Sequence, residues 1–214
     1  MTHLEFIGVD TGQGLTQWAA DAQVRKGGGY SLTRLGSISR KRRPAARQWR
    51  HDKNFPHPPT PPPEFEEEFI TGLTAIFEEK IVFNQLLGLK ITSLKADRVT
   101  ARIDMRHELV GHYAYNRIHG GVISAGLDAM GGLAVMAAIG ARHMDEAPLQ
   151  RLHRFGKLGT IDLRVDYLRP GISEYFELRA EVLRLGSRVA TTRMEFLGAD
   201  GKLFSTAAAA YIVS

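Results

Sequence analysis

From Gly120 to Gly140 the sequence is apolar apart from Ser124 and Asp128. The larger residues of this stretch, Val122, Ile123, Leu127, Met130, Leu133, Val135, Met136 and Ile139, fall on every side of a helix instead of on one stripe. A helix over His119–Arg142 therefore has to be wrapped by other structure. Its many Gly and Ala residues let a sheet come close. The two polar interruptions leave no run of 18 apolar residues, so the reading is a buried helix and not a membrane span.

The flanking patterns supply what wraps it. Phe65, Phe69, Leu73, Ile76 and Phe77 recur at helical spacing, with acidic residues crowding the first turns, and predict a helix over Glu64–Lys80. Runs at Leu87–Leu94 and Arg98–Met105 read as strands, the second alternating Val99, Ala101, Ile103 and Met105 on one face. A loop over Arg106–Ile118 leads to the long helix. Four more strands follow at about Gly159–Leu168, Glu174–Leu185, Ser187–Leu197 and Leu203–Val213. Turn signals at Arg169-Pro170-Gly171, Leu185-Gly186 and Gly198-Ala199-Asp200-Gly201 separate them. This order suggests an α+β domain, an antiparallel sheet with helices on one face.

Residues 1–63 read differently. They hold seven of the nine prolines, the run Gly27-Gly28-Gly29 and the basic block Arg40-Lys41-Arg42-Arg43, and they end in Pro58-Pro59-Thr60-Pro61-Pro62-Pro63. Ten Lys/Arg against four Asp/Glu give this part +6, whereas residues 64–214 carry −1, so the net +5 belongs to the extension. Such a stretch buries too little apolar area to offset its ordering entropy, and a disordered extension is expected. Binding of nucleic acid through the basic block and a transit role are weaker readings, the second opposed by Glu5, Asp10 and Asp21. The chain has no cysteine, which removes disulfides, thiolate metal sites and cysteine nucleophiles. With no secretory signal at the start, a cytoplasmic location is expected.

The chemistry centres on His119-Gly120-Gly121-Val122-Ile123 followed by Leu127-Asp128. The first N–H groups of a helix lack intrahelical partners, and glycine lets a substrate oxygen approach them. That is the requirement of an oxyanion hole, although the same glycines also serve a tight loop-to-helix junction. Asp128 lies on the most apolar helix of the chain, where an ionised carboxylate is costly unless paired. His-Gly-Gly with an acidic residue nine positions after the His, then Gly159-Thr160-Ile161-Asp162-Leu163 leading to Tyr167-Leu168-Arg169-Pro170, resembles the hotdog-fold PaaI-type acyl-CoA thioesterases. Phe83-Asn84 and Leu87-Gly88-Leu89 resemble the N-terminal approach of the same family. The resemblance covers residues 64–214 and implies a hotdog fold, an antiparallel sheet wrapped around a long central helix. It implies hydrolysis of acyl-CoA to a carboxylic acid and coenzyme A.

On that resemblance Asp128 is the general base or nucleophile and Gly120 the oxyanion donor. Thr160 is a hydroxyl that in some relatives holds the attacking water, and His119 orients the thioester or its loop. Asp128 stands eight residues beyond Gly120, roughly 12 Å along one helix. A base or nucleophile must lie within about 3–3.5 Å of what it attacks. One chain therefore cannot bring both groups to one thioester. Two antiparallel helices across a homodimer interface can, and dimers of dimers are a further option in the family. Many relatives carry Asn or Gln six residues before the motif His. Here that residue is Tyr113, with His112 and Asn116 as nearby substitutes.

Gly121 completes the helix start. Arg169 and Arg188 are candidates for the phosphates of coenzyme A, and Leu133, Met136 or the helix Glu64–Lys80 for an acyl pocket, with plain core as their other reading. No metal spacing is present, and no cofactor is implied beyond the coenzyme A of the substrate. Two rival functions remain at this point. One is a non-catalytic acyl-CoA sensor, kept open by Tyr113. The other is a hotdog dehydratase or hydratase, disfavoured because the His-Gly-Gly junction puts its donor at the carbonyl.

Overall fold

The computed structural model describes residues 62–214. The expected extension and its basic block lie outside the described residues, apart from Pro62 and Pro63. Helix α1 (Glu67–Ala75) runs into a π-helical turn over Ile76–Lys80, and a short helix α2 (Val82–Leu87) follows. Strands β1 (Lys90–Leu94) and β2 (Val99–Asp104) come next, then a two-stranded ribbon of β3 (Val110–His112) and β4 (Arg117–Ile118). After the central helix α3 (Gly120–Arg142) come a short helix α4 (Pro148–His153) and strands β5 (Gly159–Tyr167), β6 (Tyr175–Leu185), β7 (Val189–Gly198) and β8 (Leu203–Ile212).

The main sheet has six strands in the order β1-β2-β6-β7-β8-β5, every neighbouring pair antiparallel. Its inner face follows the two-residue period of a half-buried sheet. Val99, Ala101 and Ile103 of β2, Phe176, Leu178 and Ala180 of β6, and Ala190, Met194 and Phe196 of β7 are buried against α3. By length and composition α3 is apolar enough to cross a bilayer, but most of it is buried inside the domain. This is the hotdog arrangement that the sequence predicts.

Close packing explains the small residues of α3. A Cβ at Gly131 would stand 2.1 Å from the Tyr211 hydroxyl, and one at Gly140 would stand 2.4 Å from Cζ of Phe69. The sheet on one side and α1 on the other use these notches. At the α1 end the fully buried Arg151 of α4 donates to the Gly140 carbonyl and to Glu66, and lies 4.6 Å over the Phe69 ring.

Three local expectations are corrected. The first helix does not run regularly to Lys80, because it closes with an i to i−5 bond from Ile81 N to Ile76 O. The first strand begins at Lys90 and not at Leu87: residues 82–87 are helical, and Gly88 ends that helix at φ 71°, a left-handed cap suited to glycine. The loop over residues 106–118 contains the β3–β4 ribbon, with Asn116 in the left-handed region at φ 47°. Asn is among the residues that tolerate that conformation.

Candidate active site

Asp128 sits midway along α3 on the side facing β5 and β8. Thr160 of β5 donates from Oγ1 to Asp128 Oδ1 at 2.9 Å. Tyr211 of β8 donates to the same oxygen at 3.1 Å and to the Asp128 backbone carbonyl at 2.9 Å. Thr160 and Tyr211 are themselves opposed across the β5–β8 ladder. Burial first, then the charge of Asp128 and its hydrogen bond, push the Tyr211 phenol above its ordinary value, so it stays a donor. Among the described residues no hydrogen bond reaches Oδ2. Both side-chain hydrogen bonds to this carboxylate therefore fall on one oxygen.

Asp128 lines a cavity of about 290 Å³, whose walls also include Phe77, Ile81, Phe83, Ala125, Ala129, Gly132, Phe155 and Leu158. A carboxylate on the wall of a largely apolar cavity suits a substrate with one reactive polar end and a hydrocarbon tail. The buried Asn84 donates to the Phe77 carbonyl at 3.0 Å and ties the π-helical turn to α2 along this wall.

The start of α3 forms a separate half. His119 is the N-cap and accepts the Gly121 N–H on Nδ1 at 2.9 Å, which puts the hydrogen of the neutral ring on Nε2. Gly120 is the first helical residue, and among the described residues no acceptor meets its N–H. Its carbonyl accepts from the Tyr167 hydroxyl of β5 at 3.0 Å. A cleft of about 340 Å³ opens here, lined by Gly120, Arg117, Tyr167 and Arg169 among others. A free N–H on the axis of a 23-residue helix is a ready site for developing negative charge.

The chain thus brings Asp128 and Thr160 together and holds Gly120, His119 and Gly121 apart from them at the other end of β5. Gly121 has its N–H engaged by His119, which leaves Gly120 as the open donor. The Thr160 proton goes to Asp128 and is not available to a water. Arg169 lines the Gly120 cleft with one nitrogen on the Leu203 carbonyl at 2.7 Å. Arg188 is exposed at the far end of β8, its carbonyl taking the Val213 N–H. His112, Tyr113 and Asn116 are exposed on the ribbon, with His112 4.9 Å from the Tyr115 ring.

Leu133 and Met136 are fully buried core and not pocket wall. Phe77 is the pocket residue that the first helix supplies. Sequence reasoning missed Tyr211 and gave Tyr167 no role. Tyr211 follows a run of four alanines, Ala207–Ala210, and that isolated hydroxyl was its only signal.

A family model described as the thioesterase superfamily matches residues 115–205. The medium/long-chain acyl-CoA thioesterase YigI of Escherichia coli (strain K12) is 33% identical over 147 residues, which cover 69% of this chain and 95% of that protein. The protein of the same name from Salmonella typhimurium (strain LT2) is 34% identical over 147 residues, with the same coverage of 69% and 95%. A solved structure from Shewanella oneidensis, related to the thioesterase superfamily, is 36% identical with a TM-score of 0.65, covering 69% of this chain and 96% of its own.

Proposed function

The chain belongs to the thioesterase superfamily and is a thioester hydrolase, and from that premise we propose that it cleaves medium- and long-chain acyl-CoA to the carboxylic acid and coenzyme A. The observation that carries this reading is Asp128, anchored through Oδ1 by Thr160 and Tyr211 and lining a largely apolar cavity. The names of the similar YigI proteins support coenzyme A as the carrier and the range of chain length.

In the reaction Oδ2 takes a proton from water as its oxygen bonds to the thioester carbon, or itself attacks that carbon to give an anhydride that water then opens. The carbonyl oxygen gains negative charge, which the Gly120 N–H stabilises. The carbon–sulfur bond breaks and the thiolate of coenzyme A leaves, taking up the proton that the water gave up. These steps draw on a carboxylate, a backbone donor and water, and need no cofactor. The reading takes the enzyme to act in the cytoplasm, with α3 as the core of the domain.

The two halves come from different chains on this reading. β5 is an edge strand of the sheet, with Ile161 and Tyr167 more than half exposed. Thr160 at one end contacts Asp128, and Tyr167 at the other contacts Gly120. Antiparallel pairing of β5 with its own copy about Leu163 and Arg164 brings the Asp128 end of one chain to the Gly120 end of the other. That arrangement removes the separation of roughly 12 Å within a chain.

The test is thiol release from acyl-CoAs of graded length by wild type and Asp128→Ala. A fall of about 100-fold, or roughly 2.7 kcal/mol, is expected. Mixing Asp128→Ala with Gly120→Pro should then restore roughly one quarter of wild-type activity, because half of the exchanged pairs each hold one complete site. Absence of turnover by wild type on every acyl-CoA would refute the substrate, and absence of restoration would refute the shared site.

A further inference from the structure

We infer that Gly132 sets the acyl-chain length that this site accepts, an inference that rests on reading the Asp128 cavity as the acyl site. Ala125, Asp128, Ala129 and Gly132 recur at helical spacing and form the stripe of α3 that faces the cavity. Asp128 marks the reacting end. Gly132 is one turn further, about 6 Å along the axis, on the wall of the same cavity.

The surroundings of this glycine separate it from its neighbours. Gly131 and Gly140 are demanded by packing, since a Cβ there would press on Tyr211 at 2.1 Å and on Phe69 at 2.4 Å. At Gly132 the nearest atoms to such a Cβ are Leu158 Cδ2 at 3.5 Å and Phe77 Cε1 and Cζ at 3.8 Å, ordinary contact distances. A mid-helix glycine is also unfavourable compared with alanine. Neither packing nor the helix asks for glycine at 132. The space it leaves belongs to the cavity.

Phe77 lies edge-on against Phe155, centroids 5.6 Å apart at 74°, and both line the cavity with Leu158. A side chain added at 132 therefore shortens the room for the hydrocarbon, and removing the Phe155 ring lengthens it.

The experiment measures kcat/KM for thiol release on saturated acyl-CoAs from short to long chain, for wild type, Gly132→Ala, Gly132→Val and Phe155→Ala. The ratio of long-chain to short-chain kcat/KM should fall by about tenfold or more in Gly132→Val, in line with the worth of a methylene in an apolar pocket, with Gly132→Ala between it and wild type. Phe155→Ala should move the optimum toward longer chains. Gly132→Ala fits without displacing a neighbour, so it reports even if the valine variant folds poorly. An unchanged length profile in active Gly132→Ala and Gly132→Val would overturn the inference and leave the hydrolase reading standing. Wild type inactive on the whole panel would overturn both.

Discussion

Replacing Gly120 by proline separates the chemistry of the α3 start from its architecture. Gly120 is the first helical residue, so its N–H makes no helical bond and proline deletes nothing from the ladder. His119 before it has φ −70° and ψ 135°, the extended conformation that a residue preceding proline prefers. A Cβ at 120 meets the Tyr167 ring at 3.5 Å, a normal contact. Folding should therefore be unharmed, and the stiffer unfolded chain adds roughly 0.4–1 kcal/mol of stability. The donor lost is the open N–H of the helix start. Removal of one oxyanion donor costs about 10²–10³ in kcat, some 2.7–4 kcal/mol. The assay is thiol release at saturating acyl-CoA beside a thermal melt. The expected result is a Tm at or above wild type with kcat down by at least about 100-fold. A folded variant with kcat within about threefold of wild type would refute the assignment of the oxyanion to this N–H.

Tyr211→Phe takes one of two donors from Asp128 Oδ1, a charge-assisted bond worth about 1.5–3 kcal/mol, so kcat should fall by about tenfold or more with little change in KM. Because the phenol is held above its ordinary value, wild-type stability is full below about pH 10 and declines as pH rises beyond it, and melts of the Phe variant should lack that decline. The Arg151 hydrogen bond holds the Glu66 carboxyl below its usual range, so its contribution is present near neutrality and is lost as pH falls through the folded value. Glu66→Gln should lower Tm at pH 7, and its melting curve should converge with that of wild type in acid. Gly140→Ala drives a methyl into Phe69 and should cost about 1–3 kcal/mol by chemical denaturation, unlike Gly132→Ala.

The fold was legible because its signals are periodic. The unstriped apolar run of α3 demanded wrapping, and the alternation of Val99, Ala101 and Ile103 put one face of β2 inward. The four strands after α3 lie within two residues of where their turn signals put them. The π-helical turn and α2 were not legible. Both are short, and the continuous apolar spacing through Phe77 hides where the hydrogen bonds change partner. At the site, Asp128 and Gly120 stood out by type and position, a carboxylate among apolar residues and glycines at a helix start. Tyr211 did not, because its role depends on a register that sets it against Thr160, and on a notch at Gly131 that only three-dimensional packing reveals. His119 was legible as a junction residue, but the direction of its hydrogen bond to Gly121 was not.

The edge position of β5 has a consequence for how the enzyme is counted. If a productive centre needs an edge from each of two chains, the concentration of centres is set by an association equilibrium and not by the number of chains. Rate plotted against total protein should then curve upward at high dilution and become linear only when pairing is complete. Abundance itself would act as a regulator. A cell that halves the amount of this chain near the pairing constant would lose more than half of the activity.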